Sequence, residues 1–459
     1  MTRTDNRRKK SSDSQLKGLD RAVAIVTQGS RLEDENLGRK AKGRNKTSDR
    51  VRGNVSGGNG NSPTAGRANY SGWRNIFNPV FCYHGMIFVV IALTFLGIIM
   101  VFSSSSVSLV AAGLSAFRDA GKQIIFALIG LVIGLGIVGL SGWSVNLIRN
   151  LSLIILLFSW GLQLLTLTKL GVTINGNRGW LSIAGVQFQP AEIMKLALCL
   201  WMPLTVTLAS RKSQNQEGSR KKALSYWIPV LTLAISFILV LAGKDLGTCL
   251  VIAAIGIVAL YVGGFPLGWL FAGLLVAGGA VGYFAVFGSE NRRARFLATY
   301  SGCLGGPSQL GCYQIVHGKY ALASGGLMGV GLGASREKWN YLPEAKNDFI
   351  FAVIGEELGY VGAVLVILLF LILIWCMINI ALRSTDPYAQ TVILCVAGWI
   401  GFQTFINIGV VTSLLPVIGL PLPFISAGGS ALIITLAAAG IVIGLSRRQP
   451  EIRATLKKQ

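Results

Sequence analysis

The chain has 459 residues, 52% hydrophobic and 13% charged, with a mean hydropathy of +0.59. Soluble domains carry about twice that charged fraction, so the composition excludes a water-soluble enzyme and points to a multi-pass membrane protein. The formal net charge of +23 gathers in the tails: residues 1–75 hold 17 Lys/Arg against 7 Asp/Glu, and Arg447 to Gln459 hold 5 against 1. Basic flanks beside apolar spans mark the cytoplasmic side of a membrane and can lie on anionic lipid. Nucleic acid is the other partner of basic tails, but no recognition fold accompanies this charge, so no nucleic-acid partner is expected.

Residues 1–75 are rich in Gly, Ser and Asn, as in the run Arg50 to Arg67. Such a segment buries too little apolar surface to order itself, so a disordered basic cytoplasmic tail is expected, with a short helix over Leu19 to Val26. The first apolar run begins near Tyr83, so no cleavable signal peptide is expected. A transmembrane domain over 76–446 follows, with about ten spans at 83–103, 121–140, 149–168, 190–209, 226–243, 247–263, 267–288, 349–382, 388–412 and 430–446. The eighth is too long for one perpendicular span, so it is expected to tilt or protrude. An even number of spans places both tails on one side. The loop Arg211 to Lys222, with five Lys/Arg against one Glu, falls on that side too. The positive-inside rule then makes both tails cytoplasmic, including the short basic tail 447–459. Lys169–Gln189, a large loop 289–347 and Ser413–Gly429 then face outward. Arg292, Arg293 and Arg295 in the large loop break the charge trend, and an anionic substrate outside would explain them.

Five of seven cysteines (Cys82, Cys199, Cys249, Cys376 and Cys395) fall in or beside apolar spans and read as small hydrophobes. Cys303 and Cys312 share a polar loop and can pair if that loop is extracellular. With two histidines and no metal-ligand spacing, a zinc site is not expected.

Five stretches carry candidate chemistry. Arg336 to Gly359 is a dense polar segment entering an apolar helix. Pro343 stops any preceding helix, and Asn347 or Asp348 suits the N-cap. Asp348 then sits at the mouth of a span, with Glu356 about 12 Å deeper and about 80° round the helix. Carboxylates at that depth are costly and usually functional, although Asp348 as a cap and Glu356–Glu357 as helix-binding groups is an equal reading. In Asn175 to Lys195, Pro190 suits the first helical turn and Glu192 the positive end of the dipole. Glu192 and Lys195 can pair at i, i+3 and close a turn; alternatively Arg178 and Lys195 face a lipid phosphate. In Gly243 to Thr248, Asp245 is either a helix N-cap or a charged cavity wall. Within Arg292 to Gly333 the arginines can grip a diphosphate or rest on headgroups. The glycine run Gly325 to Gly333 lacks GK[ST] and a preceding strand, so it is not a nucleotide loop. His317 reads as a surface-loop residue rather than an acid or base. Asn407 to Ser430 carries three prolines and a Gly-Gly, backbone that a membrane tolerates only when buried or lining a cavity.

These stretches, in their order along the chain, resemble the motifs of the SEDS family, the polytopic peptidoglycan polymerases typified by FtsW and RodA. Tyr341 to Gly359 resembles its signature, and the resemblance covers about 76–446. Ala191, Lys244 and Ala427 depart from the family's usual Ser, Pro and Tyr. The Ser run after Phe102 and the long basic tail look more like FtsW than RodA, and Arg336 to Trp339 suggests an actinobacterial version. The resemblance implies an all-α fold of about ten transmembrane helices. It also implies an inverting glycosyltransferase: the 4-hydroxyl of lipid II attacks the anomeric carbon of the growing chain, and undecaprenyl diphosphate leaves. Asp348 would be the general base. Arg178, Lys195, Arg292, Arg293 and Arg295 would supply positive charge, with a divalent cation (Mg or Mn) as an optional helper. Glu344, Glu356 and Ser426 join the expected substrate-binding set. The expected partners are a class B penicillin-binding protein (the septal transpeptidase) and other divisome proteins. A lipid II flippase, a non-catalytic divisome scaffold and a RodA-like elongation role are the alternatives.

Overall fold

A computed structural model describes residues 72–143, 145–174, 177–183, 186–287, 299–300 and 312–456. Most of the expected tail, Arg292, Arg293, Arg295 and Cys303 lie outside the described residues. The helices in chain order are α1 (Pro79–Ala111), α2 (Arg118–Trp143), α3 (Val145–Thr166), α4 (Pro190–Gln214), α5 (Ser219–Leu224), α6 (Trp227–Ala242), α7 (Leu246–Val262), α8 (Leu267–Phe287), α9 (Cys312–Ser324), α10 (Ile350–Leu382), α11 (Pro387–Val411), α12 (Gly429–Ser446) and α13 (Pro450–Leu456).

Seven of these, α1 to α4 and α10 to α12, are long and apolar enough to cross a membrane. The shorter apolar helices α6, α7 and α8 occupy the three remaining expected span positions. Capping fixes several starts. Asn78 Oδ1 accepts from Val80 N at 3.0 Å with Pro79 behind it, and Asp386 precedes Pro387 in the same way, its Oδ1 accepting from Tyr388 N at 3.1 Å.

The spans α4, α11 and α12 are the most enclosed, with 67% of each apolar window buried, against 28% for α2 and 22% for α3. The first three therefore form the centre and the last two face lipid. Close approach uses small residues: a Cβ on Gly440 of α12 would lie 2.6 Å from Gly134 Cα of α2. Helix is not the whole architecture. Between α3 and α4 the chain forms an antiparallel three-stranded meander, β1 (Gly171–Ile174), β2 (Asn177–Ile183) and β3 (Val186–Phe188), where a turn was expected. Val172 opposes Trp180, and Leu181 opposes Phe188.

The eighth expected span, 349–382, was expected to tilt or protrude; a break inside it was not expected. Gly359 has φ 70° and ψ −169°, which breaks α10 into a short upper part and a longer part from Tyr360. The glycine run braces the break. Tyr360 N donates to Gly326 O (2.9 Å) and Val361 N to Leu327 O (3.2 Å), while Val330 N and Gly331 N donate to the carbonyls of Glu356 and Glu357 at 3.0 and 3.1 Å. A Cβ on Gly329 would lie 2.2 Å from Glu357 O, so only glycine admits this contact.

At the opposite end of the molecule the segment after α12 folds back on the bundle. Arg447 Nε donates to Tyr83 Oη at 3.0 Å, Gln449 Nε2 donates to Ile380 O, and Ile452 is fully buried.

Candidate functional site

The polar segment before α10 runs as consecutive turns, with Asn340 and Glu344 in the left-handed region. Asn347 Nδ2 donates to Glu344 Oε2 at 2.5 Å, and Phe349 N donates to Glu344 O at 3.2 Å. The residue preceding the helix is Phe349, and no side chain caps it. This corrects the expectation that Asn347 or Asp348 does so. The turns already supply backbone acceptors, and the Asn347 amide is directed to Glu344.

Three successive carbonyls of this segment are gripped by α11 and the loop that follows it. Lys346 O accepts from Ala427 N (2.9 Å), Asn347 O from Ser426 Oγ (2.7 Å) and Asp348 O from Asn407 Nδ2 (2.8 Å). The gripping loop is itself held. Asn407 Nδ2 also donates to Leu420 O at 2.7 Å, and Gln403 Nε2, one turn earlier on α11, donates to Pro421 O at 2.7 Å. Ser426 Oγ accepts from Leu422 N at 2.7 Å, and Gln123 Nε2 of α2 donates to Ser426 O at 3.2 Å. Lys346 Nζ pairs with Asp119 at the start of α2, at 2.6 Å. The backbone of Asp348 is thus fixed from several elements while the residue itself stays half-buried. Gly419, at φ 81°, lies against its carboxylate; a Cβ there would sit 3.4 Å from Asp348 Oδ2.

Lys195 belongs to the same network from below. It is fully buried, pairs with Glu192 at 2.9 Å, donates to Gln403 Oε1 at 3.0 Å and lies 4.9 Å from the centre of the Trp399 ring. The i, i+3 spacing anticipates the Glu192 pair; the Gln403 link connects it to the Pro421 turn. Arg178 is exposed on β2. Its guanidinium donates to Thr168 O at 2.8 Å, and its main-chain N donates to Gly243 O at 2.9 Å. Asp245 caps α7 through Thr248 N (3.0 Å) and also accepts from Gln189 Nε2 (2.7 Å).

Glu356 and Glu357 form a second cluster. Glu356 accepts from Ser335 Oγ (2.5 Å) and Arg336 N (2.8 Å). Glu357 accepts from Ser103 Oγ of α1 (2.6 Å) and forms a buried ion pair with Lys338 at 2.9 Å. His317 is not in a loop. It lies on α9, half-buried, with Nδ1 at 2.6 Å from Glu337 Oε2 and its ring among Tyr313, Tyr320 and Tyr341. Cys312 is disulfide-bonded. Among the described residues no three His, Cys, Asp or Glu side chains converge as a metal site.

Asp348, Glu344, Ser426 and Lys195 are therefore joined through Asn407 and Gln403, which the sequence reading did not single out. The available signal was Gln403, Thr404 and Asn407 in the otherwise apolar run Val392 to Val411, since polar side chains at that depth need partners.

The family model described as cell cycle protein, covering FtsW, RodA and SpoVE, matches residues 83–451. The chain is 35% identical over 364 residues to stage V sporulation protein E of Bacillus subtilis, covering 79% of this chain and 96% of that one. It is 34% identical over 401 residues to the probable peptidoglycan glycosyltransferase FtsW of Mycobacterium tuberculosis, covering 85% and 72%. Among solved structures, a chain described under "structural coordination of polymerization and crosslinking by a peptidoglycan synthase complex" superposes with TM-score 0.61 at 28% identity, covering 80% and 98%. The rod shape determining protein RodA of Thermus thermophilus superposes with TM-score 0.57 at 26% identity, covering 80% and 97%.

Proposed function

Because the chain belongs to the FtsW/RodA/SpoVE family of multi-pass membrane proteins, we propose that it polymerises lipid II into glycan strands with Asp348 as general base. It is a peptidoglycan glycosyltransferase, and the septum is its proposed place of work, with a class B penicillin-binding protein as partner. The observation that carries the assignment of the base is the grip on three consecutive carbonyls at Lys346, Asn347 and Asp348. A general base must be held within hydrogen-bond reach of the hydroxyl it deprotonates. Here the main chain is positioned by Ala427, Ser426 and Asn407.

In this reading the Asp348 carboxylate takes the proton of the incoming 4-hydroxyl as that oxygen attacks the anomeric carbon. The bond to the diphosphate breaks, and the carbon inverts. Negative charge then grows on the leaving diphosphate. Arg178, exposed on β2, is proposed to meet it, with Arg292, Arg293 and Arg295 proposed from sequence alone. Lys195 acts indirectly, since its ammonium is enclosed by Glu192, Gln403 and Trp399. Glu356 braces Ser335 and Arg336, and Ser426 holds Asn347, so both are assigned positioning roles. A divalent cation (Mg or Mn) is kept as an optional helper at the diphosphate, since such an ion can be held by one or two carboxylates together with substrate phosphates, and no step is routed through it.

The test is polymerisation of labelled lipid II by the full chain with its transpeptidase partner, the transpeptidase active site disabled. Glycan strands from wild type and none from Asp348→Asn are expected. Equal product from both removes Asp348 as the base. No product from either, where a known polymerase works, would move the assignment to a flippase or scaffold.

A further inference from the structure

The loop that braces the Gly359 break has a second face. Gly326, Leu327 and Met328 are exposed, as are Val330 to Ala334. Leu327 is 72% exposed, Met328 80% and Leu332 61%. From Tyr320 to Ser335 there is no charged side chain, while Lys319 and Arg336 stand exposed at the two ends. Tyr320, Trp339, Tyr341 and Tyr360 are exposed around it. An apolar tip, an aromatic collar and basic flanks make up the composition of a segment that lies at a membrane interface.

Height and backbone chemistry agree with that composition. Tyr360 to Leu382 spans about 34 Å at 1.5 Å per residue, close to the roughly 30 Å hydrocarbon core. The loop is bonded to Tyr360 and Val361 and so lies at the edge of that core. Its apolar tip continues the lipid-facing stripe of α10, where Val361, Leu365, Leu368 and Leu371 are exposed. Irregular backbone survives in apolar surroundings only when its polar groups are paired within the protein. Here the carbonyls of Gly326 and Leu327 accept from α10, the amides of Val330 and Gly331 donate to it, Gly329 N donates to Gly325 O and Ala334 N to Gly331 O. A loop built for water would not need this degree of internal pairing.

We infer that Gly325–Gly333 is a membrane-interface anchor that inserts Leu327, Met328 and Leu332 into the leaflet on the side of Asp348. It would thereby fix the height of the polar segment above the lipid from which a lipid-linked substrate must rise.

The test places nitroxide labels at Met328→Cys and, separately, Leu332→Cys in the full-length protein in phosphatidylethanolamine–phosphatidylglycerol vesicles. The free described cysteines are buried, and an unsubstituted sample sets the background. Collision with oxygen and with a water-soluble nickel chelate is compared with Leu368→Cys on α10 and Glu217→Cys in an exposed loop. An oxygen-to-nickel ratio shifted toward the Leu368 control at either site supports the anchor. A ratio equal to that at Glu217 places the loop in water and overturns it. Exclusion of both agents at both sites means protein covers the loop, through a second copy, and overturns it as well. The readout is independent of the assigned reaction, so loss of polymerisation would not register as failure of the anchor.

Discussion

Two carboxylate neighbourhoods lie nine residues apart and are built on opposite principles. At Glu357 both oxygens are taken up inside the protein by Ser103 and Lys338, and the residue is 1% exposed. Around Asp348 three donors grip successive main-chain carbonyls, those of Lys346, Asn347 and Asp348, and the residue is half-buried beside Gly419. The first arrangement stores a charge as a structural link between α1, α10 and the preceding turns. The second fixes the main chain that carries one. Carboxylates less than ten residues apart can therefore differ in burial and in how the fold holds them.

The comparison can be broken most sharply at Asp348. Asp348→Asn is expected to slow glycan polymerisation by about 10²–10⁴-fold, the range of a lost general base. The thermal unfolding midpoint should move little, because the bonds from Ala427, Ser426 and Asn407 are to main-chain carbonyls that the substitution keeps. Glu357→Ala should do the reverse. It leaves the buried Lys338 ammonium unpaired and should cost about 3–5 kcal/mol in stability. Adding Lys338→Met should recover most of that in thermal unfolding; no recovery would mean the pair is not what Glu357 supplies. Asn407→Ala removes a donor from the buried Leu420 carbonyl and the part-buried Asp348 carbonyl, with an expected cost of about 1–3 kcal/mol. Its kinetic signature should be a lower kcat with an unchanged KM for lipid II, and Asn407→Asp, which lacks the donor, should not rescue it. Gly419→Ala forces a side chain into the left-handed region at about 1–2 kcal/mol and sets a methyl against the Asp348 carboxylate, so activity should fall further than stability alone explains. The smallest effect belongs to the partly exposed Lys346–Asp119 pair. A double-mutant cycle there should give about 0–1 kcal/mol and shrink further in high salt.

Much of the fold was legible because hydropathy reports burial in lipid directly. The expected spans 388–412 and 430–446 match α11 and α12 within a residue at each end. The Glu192–Lys195 pair was legible from spacing, and Asp245 as a cap from its place between two apolar runs. The Gly359 break was not, since apolar residues flank it on the far side and one glycine inside a helical pattern carries no direction. Its partner signal, the glycine run at 325–333, lies some thirty residues away and acts only through backbone hydrogen bonds. Asn407 escaped for a related reason: its function is to hold carbonyls of Asp348 and Leu420, contacts that no residue-type pattern encodes.

The break at Gly359 also orders the birth of the protein. Tyr360 to Leu382 is apolar throughout except for Asn379 and can enter the bilayer as soon as it is made. Ile350 to Leu358 carries two carboxylates whose partners, Ser103, Ser335, the Arg336 amide and Lys338, all precede it in the chain. Those partners must be gathered before that short stretch can bury its charges. The same glycine that bends the helix separates a part that inserts early from a part that assembles late, and the polar segment bearing Asp348 is completed only with the second.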